Sequence, residues 1–156
     1  MTTQSNIHEQ IERLLDADEA DFRELNLVER EGEAAFEALR GRLEALDGPK
    51  RARALNLLLT LTRQFCIRRL PDAVRTAVAY TENDDRGVRS ATVSVAARGS
   101  LVMRAFRELE GIVPPPPSRE EVHAAITNAI AMGIDEVALQ EADRFMKQES
   151  RGAPPE

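Results

Sequence analysis

Residues 49–69 read PKRARALNLLLTLTRQFCIRR, and what surrounds this stretch decides the fold. Leu55, Leu57, Leu58, Leu59, Leu61, Phe65, Cys66 and Ile67 are all apolar. At about 100° per residue they cover nearly the whole circumference of a helix, and such a helix must be covered on most sides by protein or lipid. From Leu55 to Ile67 the run is 13 residues, broken by Arg63 and Gln64. A bilayer span needs about 20 mostly apolar residues, so the stretch reads as a core helix at the centre of the fold. Both of its ends are basic, with Lys50, Arg51 and Arg53 at one and Arg68 and Arg69 at the other.

The rest of the chain supports a helical core around it. At 156 residues the length suits one domain. The hydrophobic fraction is 42% but aromatics are only 4%, so the core must come from Ala, Leu, Val and Ile, as in closely packed helices. Cys66 is the single cysteine. It excludes an internal disulfide and a cysteine metal cluster, and it suits a reducing compartment. MTTQSNIHEQ has neither a basic start nor an apolar run, so no signal peptide is read there and a cytoplasmic location is expected. Arginine outnumbers lysine 19 to 2, a bias expected of a GC-rich bacterial genome.

Junctions divide the chain into helices. Asn6 and Asp18 are candidate caps for two short N-terminal helices, and a third is expected over 31–46 with Phe36, Leu39, Leu43 and Leu46 on one side. Asp47-Gly48-Pro49 is a stop followed by a restart. Leu70, Ala73, Val74, Ala77 and Val78 form a helical stripe after Pro71, and Val88, Ala91, Thr92, Val95 and Ala96 repeat it after a polar turn. Gly99 is read as the end of that helix, and Leu101, Val102, Ala105, Phe106 and Leu109 as the next one. Pro114 to Pro117 cannot be helical. They form a stiff connector of roughly 12 Å at about 3.1 Å per residue, or a docking site for a proline-reading partner. Ser118 with Glu121 is a capping box before Val122, Ala125, Ile126, Ala129 and Ile130, and a final helix is expected from Asp135 to about Glu149.

The spacing also repeats. A shift of 34 aligns Val88, Ala91, Thr92, Ala96 and Gly99 with Val122, Ala125, Ile126, Ile130 and Gly133; a shift of 37 aligns Asp47, Ala54 and Leu58 with Asp84, Ala91 and Val95. This suggests a helix pair used three times, 33–46 with 49–68, 71–81 with 85–98, and 101–110 with 118–132. The segment LPDAVRTAVAYTENDDRGVRSATVSVAARG, through Pro71, Asp84 or Asp85, Val88-Arg89 and Ala91, resembles a HEAT-like (armadillo-type) repeat. The unit before it keeps Asp47 and Ala54 but replaces the Val-Arg pair, and the unit after it has His123 in place of the arginine. The resemblance covers about 33–132. It implies an all-α fold, a short α-solenoid of about three pairs with capping helices, used for protein–protein scaffolding, with Arg89 in an internal ladder to the turn Asp. An irregular helical bundle is the competing architecture. Residues 1–5 and 150–156 are read as disordered tails around one domain, 6–149.

No catalytic set emerges. Cys66 lies between Phe65 and Ile67 and is read as an inert core residue; no His lies within local reach, and no Gly-rich phosphate loop follows a strand. Glu120-x-x-His123 has the spacing of a carboxylate-bridged metal helix, but there is no second such motif, and His8 with Glu12 is weaker still. No catalytic residue, metal or cofactor is therefore assigned. Charge is the remaining signal. Residues 1–49 carry −8, residues 50–107 carry +8 and residues 108–156 carry −6. Such asymmetry marks an anionic partner or acidic flanks packed beside the basic middle. Arg68, Arg75, Arg86, Arg104 and Arg107 are the candidate partner-binding residues, and the expected function is a non-enzymatic adaptor that binds a protein with an acidic surface. Nucleic-acid binding and self-assembly are the rivals; the near absence of aromatics for base stacking weighs against the first.

Overall fold

Asp47 shows how locally the helices are started: its carboxylate accepts the Lys50 N–H at 3.1 Å, Pro49 occupies the first turn, and an 18-residue helix follows. The computed structural model describes residues 9, 11–13, 15 and 32–152, the last four as backbone. The expected tail over 1–5, most of the two N-terminal helices, and residues 153–156 of the expected C-terminal tail lie outside the described residues. In chain order the helices are α1 (Gly32–Gly41), α2 (Gly48–Phe65), α3 (Leu70–Ala79), α4 (Arg86–Met103), α5 (Arg119–Met132) and α6 (Glu136–Gly152). Short 3-10 turns occur at Leu43–Ala45, Ile67–Arg69 and Arg107–Leu109. There is no strand among the described residues, and no described helix is long and apolar enough to cross a membrane.

Three of these helices run the same way. A β-carbon on Gly48, at the start of α2, would sit 2.2 Å from an Asp85 carboxylate oxygen, at the start of α4. Further along, Gly99 of α4 faces Leu59 of α2. On the other side of α4, Ser90 Oγ accepts the Asp135 N–H at 2.9 Å just before α6 begins, and Ser100 and Phe145 border one pocket. So α2, α4 and α6 are parallel, with α4 between the other two. α3 joins α2 to α4 and α5 joins α4 to α6, each packed against the pair it connects.

Among the described helices α4 is enclosed by four others, while the 49–69 segment, in α2, packs against three and against Ile11 and Leu15. α4 packs against α2, α3, α5 and α6. One face carries Val88, Ala91 and Val95 into a core shared with α1, α2 and α3; the other carries Val93, Ala96 and Ala97 into a core shared with α5 and α6. α2 buries Leu55, Leu57, Leu58, Leu59 and Leu61 but leaves Asn56, Arg63 and Gln64 exposed. The physical reason is side-chain size. Ala, Gly and Ser along α4 let four helices approach closely, yet a stripe rich in Ser, Thr and Arg does not look buried in sequence.

Gly99 does not end its helix. It lies inside α4, where an added β-carbon would be 2.6 Å from Val74 Cγ2. A glycine in a helical pattern marks either a stop or a close approach, and here α3 crosses at the glycine. The expected helix over 101–110 is consequently absent. Residues 101–103 complete α4, and the chain then turns through Phe106 and the 3-10 turn. The expected pairing of 101–110 with 118–132 therefore has no first helix, and the helix that follows 119–132 is α6.

Arg89 ties α4 to the turn before it and to the end of α5. It is 7% exposed. Its guanidinium donates to the carbonyls of Asn83 and Asp84 (both 2.9 Å), Gly133 (2.9 Å) and Met132 (3.3 Å). The expected ladder to the turn Asp thus runs to backbone oxygens rather than to a carboxylate. A cation at the C-terminus of α5 also complements the negative end of that helix.

Candidate functional site

The five arginines proposed from sequence are spread over the length of the fold. Arg86 and Arg104 flank the two ends of α4, which at about 1.5 Å per residue puts them roughly 27 Å apart along its axis. Arg86 donates to the Ile134 carbonyl at 3.1 Å and Arg75 to the Pro115 carbonyl at 2.5 Å, while Arg75 also pairs with Asp72. Both serve the fold. Arg68 is exposed beside Pro71, Asp72 and Pro114. Arg104 and Arg107 are exposed where α4 ends.

Much of the basic middle is used internally, and partly by the acidic N-terminal flank. Arg69 pairs with Glu33, Glu37 and Asp72 and lies 4.6 Å from the centre of the Phe36 ring. Arg51 donates to the Leu43 and Glu44 carbonyls and stacks on Tyr80. Arg53 donates to the Leu15 carbonyl. Arg63, Arg68, Arg98, Arg104 and Arg107 remain exposed, the last two just past the C-terminal end of α4.

There the structure has a pocket of about 340 Å³. It exists because α4 stops at Met103. The chain then doubles back at Gly111 (φ 73°), and the prolines run past α3, held by the Arg75–Pro115 bond, before the Ser118–Glu121 capping box opens α5. Phe106 and Leu109 from the turn, Val122 from α5 and Phe145 from α6 form apolar walls, and Pro116 and Pro117 close one side. Arg104 and Arg119 stand on the rim with Glu110. Neither arginine carries an ion pair among the described residues. Ser100 also borders the pocket, and its buried Oγ has no hydrogen-bond partner among the described residues. Arg119 and Ser100 were missed in the sequence; the misread stop at Gly99 hid the pocket, because it replaced this loop with a helix.

A second concavity of about 380 Å³ runs over the parallel layer. Gly87, Ser90, Ala91 and Ser94 of α4 floor it between Asn56 of α2 and Val137 of α6, with Arg98 at one end.

Among the described residues two titratable groups are clearly shifted, Cys66 and Tyr80. Cys66 is half-buried, and burial together with the nearby Glu33 carboxylate raises its thiol to about 11. Among the described residues its thiol lies against the Gly32 and Leu61 carbonyls, at 3.7 and 3.9 Å. A nucleophilic cysteine needs the opposite shift. Burial and a 2.5 Å hydrogen bond to Glu44 raise Tyr80 to about 12. Glu120 and His123 are both exposed on α5, and no three metal-ligating side chains converge among the described residues. His8 lies outside the described residues. Comparison of the chain with known protein families, with characterised proteins and with solved structures finds no match to any of them.

Proposed function

We propose that the protein is a non-enzymatic adaptor that holds an acidic segment of another protein in the pocket at the end of α4. The observation that carries this reading is an open apolar pocket of ligand-binding size with exposed Arg104 and Arg119 on its rim. Arg107 lies next to it in the chain and extends the positive edge. The architecture is read as a short α-solenoid of three HEAT-like pairs, supported by the parallel run of α2, α4 and α6 with α3 and α5 connecting them. Such stacks present extended binding surfaces.

The test is fluorescence anisotropy with a labelled peptide rich in aspartate and glutamate and a labelled DNA duplex, each at about 50 and 200 mM salt. The peptide is expected to bind and the duplex not. Arg104→Glu combined with Arg119→Glu is expected to weaken the peptide about tenfold, from two partly exposed ion pairs worth up to about 1 kcal/mol each. Duplex binding with a steep salt slope, or an unchanged peptide affinity in the double variant, would replace this reading with a nucleic-acid one or remove the arginine rim from it.

Self-association has its own observation: Ile130, Met132, Val137 and Leu139 are exposed around the α5–α6 junction, Val137 by 66%. Sedimentation at two protein concentrations decides it, and a concentration-independent monomer rules it out.

A further inference from the structure

Residues 114–117 are consecutive prolines, so this segment has no backbone N–H with which to bond to the rest of the fold. It is held only through its carbonyls or by packing. Among the described residues one hydrogen bond reaches it: Arg75, on α3, donates to the Pro115 carbonyl at 2.5 Å. The same guanidinium pairs with Asp72, and Asp72 pairs with Arg69 at 3.2 Å, so the carboxylate that orients the Arg75 fork is itself held. The two ends of the strap 112–117 line different spaces. Pro116 and Pro117 line the pocket of about 340 Å³ among α4, α5 and α6. Ile112, Val113 and Pro114 line a second cavity of about 250 Å³, with Glu33, Arg68 and Pro71 on the α1–α3 side. Val113, Pro114 and Pro115 are exposed, Val113 by 86%.

A wall packed on every side cannot shift, because protein interiors hold little spare volume. This strap borders a cavity, is tied by one side chain, and begins at Gly111, where no atom lies within 4 Å of the position of a β-carbon. We infer that residues 112–117 are a movable wall of the pocket, and that Arg75, from outside the pocket, is the latch that holds this wall where it binds. The inference rests on the adaptor reading and names the regulation of its pocket. Latched, Pro116 and Pro117 complete the apolar lining with Met103, Phe106 and Val122. Released, the strap has the second cavity to move into, and the pocket loses one side to solvent. Only the latched fraction binds, so the apparent affinity falls with that fraction. Arg75 is then a positioning residue, whereas the sequence suggested that it met the partner directly.

The experiment uses the full chain, Arg75→Met and Asp72→Ala, with the labelled acidic peptide. The two substitutions move the net charge in opposite directions. If Arg75 attracted the peptide by charge alone, Arg75→Met would weaken binding and Asp72→Ala would strengthen it. A latch weakens it in both, since Asp72→Ala frees the fork that the carboxylate orients. The Arg75 side chain is 38% exposed, which limits the effect of the tie. Stopped-flow anisotropy is therefore expected to show association about two- to fivefold slower in each variant. Dissociation should stay within about twofold, because the latched state makes the same contacts once formed. Without peptide, hydrogen exchange should quicken by about twofold or more at the bonded amides flanking the strap, while α2 keeps its protection. These amides are Ile112, bonded to the Leu109 carbonyl at 3.3 Å, and Glu121, bonded to Ser118 Oγ at 3.1 Å. Circular dichroism confirms that both variants are folded. Unchanged exchange at Ile112 and Glu121, a weakening that lies entirely in dissociation, or tighter binding by Asp72→Ala overturns the latch. Exchange is measured without peptide, so the two readings fail separately. A wild-type chain that ignores the peptide removes the adaptor, while faster exchange in the variants still supports the latch.

Discussion

Arg89→Met tests the central energetic claim about the fold. The guanidinium joins three chain segments: its own helix, the Asn83-Asp84 turn and the Met132-Gly133 end of α5. Hydrogen bonds from a charged donor contribute about 1.5–3 kcal/mol each. Four bonds therefore give an upper bound that the cost of desolvating the cation partly offsets. Methionine keeps most of the apolar stem and removes every donor, leaving four carbonyls to find water. Removing one side of a buried charged network costs about 3–5 kcal/mol. For a chain of this length about 1 kcal/mol moves the midpoint by about 2–4 °C, so the thermal transition should fall by about 6–20 °C. Urea unfolding followed by far-ultraviolet circular dichroism measures the same loss independently. Arg89→Lys retains the charge without the fork and should lie between the two proteins. Hydrogen exchange should show the loosening first around 133–139, where α6 is tied to α4. A loss of less than about 1 kcal/mol in Arg89→Met would refute the claim that Arg89 holds α4 to the end of α5.

Two further outcomes follow from particular contacts. Gly99→Ala gains helix propensity of about 1 kcal/mol but places a β-carbon against Val74 Cγ2; overpacking of about 1–3 kcal/mol should win, and adding Val74→Ala should recover part of it in a double-mutant cycle. If Gly99→Ala is stabilising without Val74→Ala, α3 does not cross α4 there. The Cys66 thiol, raised to about 11 from 9.0, should react with a thiol reagent at pH 8 about a hundredfold more slowly than in the denatured chain. Its proton is released on unfolding between pH 9.0 and about 11, so the folded state binds more protons there and stability falls as pH rises across that window. Cys66→Ala should flatten that fall; equal thiol reactivity in native and denatured protein contradicts the burial.

The sequence by itself determined the features that depend on near neighbours. Ser118 with Glu121 caps its helix as its spacing required, because the bonds close within three residues, and the restart read at 47–49 is the start of α2. The stripes on α3, α4 and α5 were legible for the same reason: the helical period shows which residues share a face. Tertiary structure decided everything that depends on what lies across that face. Gly99 is a crossing point rather than a stop only because α3 brings Val74 against it, and this lengthened α4 to Met103 and left a loop where a helix was expected. Which arginines remain for a partner was likewise undecidable locally. Arg75 reaches the Pro115 carbonyl 40 residues away and Arg86 the Ile134 carbonyl 48 residues away, whereas Arg104 stays at the rim. A guanidinium binds whichever oxygen the fold brings within reach, and its sequence neighbours do not name that oxygen. The leucine-rich helix at 49–69 was legible as core from its composition. That α4 is the more enclosed helix was not, because small and polar residues become buried through the approach of their neighbours and not through their own hydrophobicity.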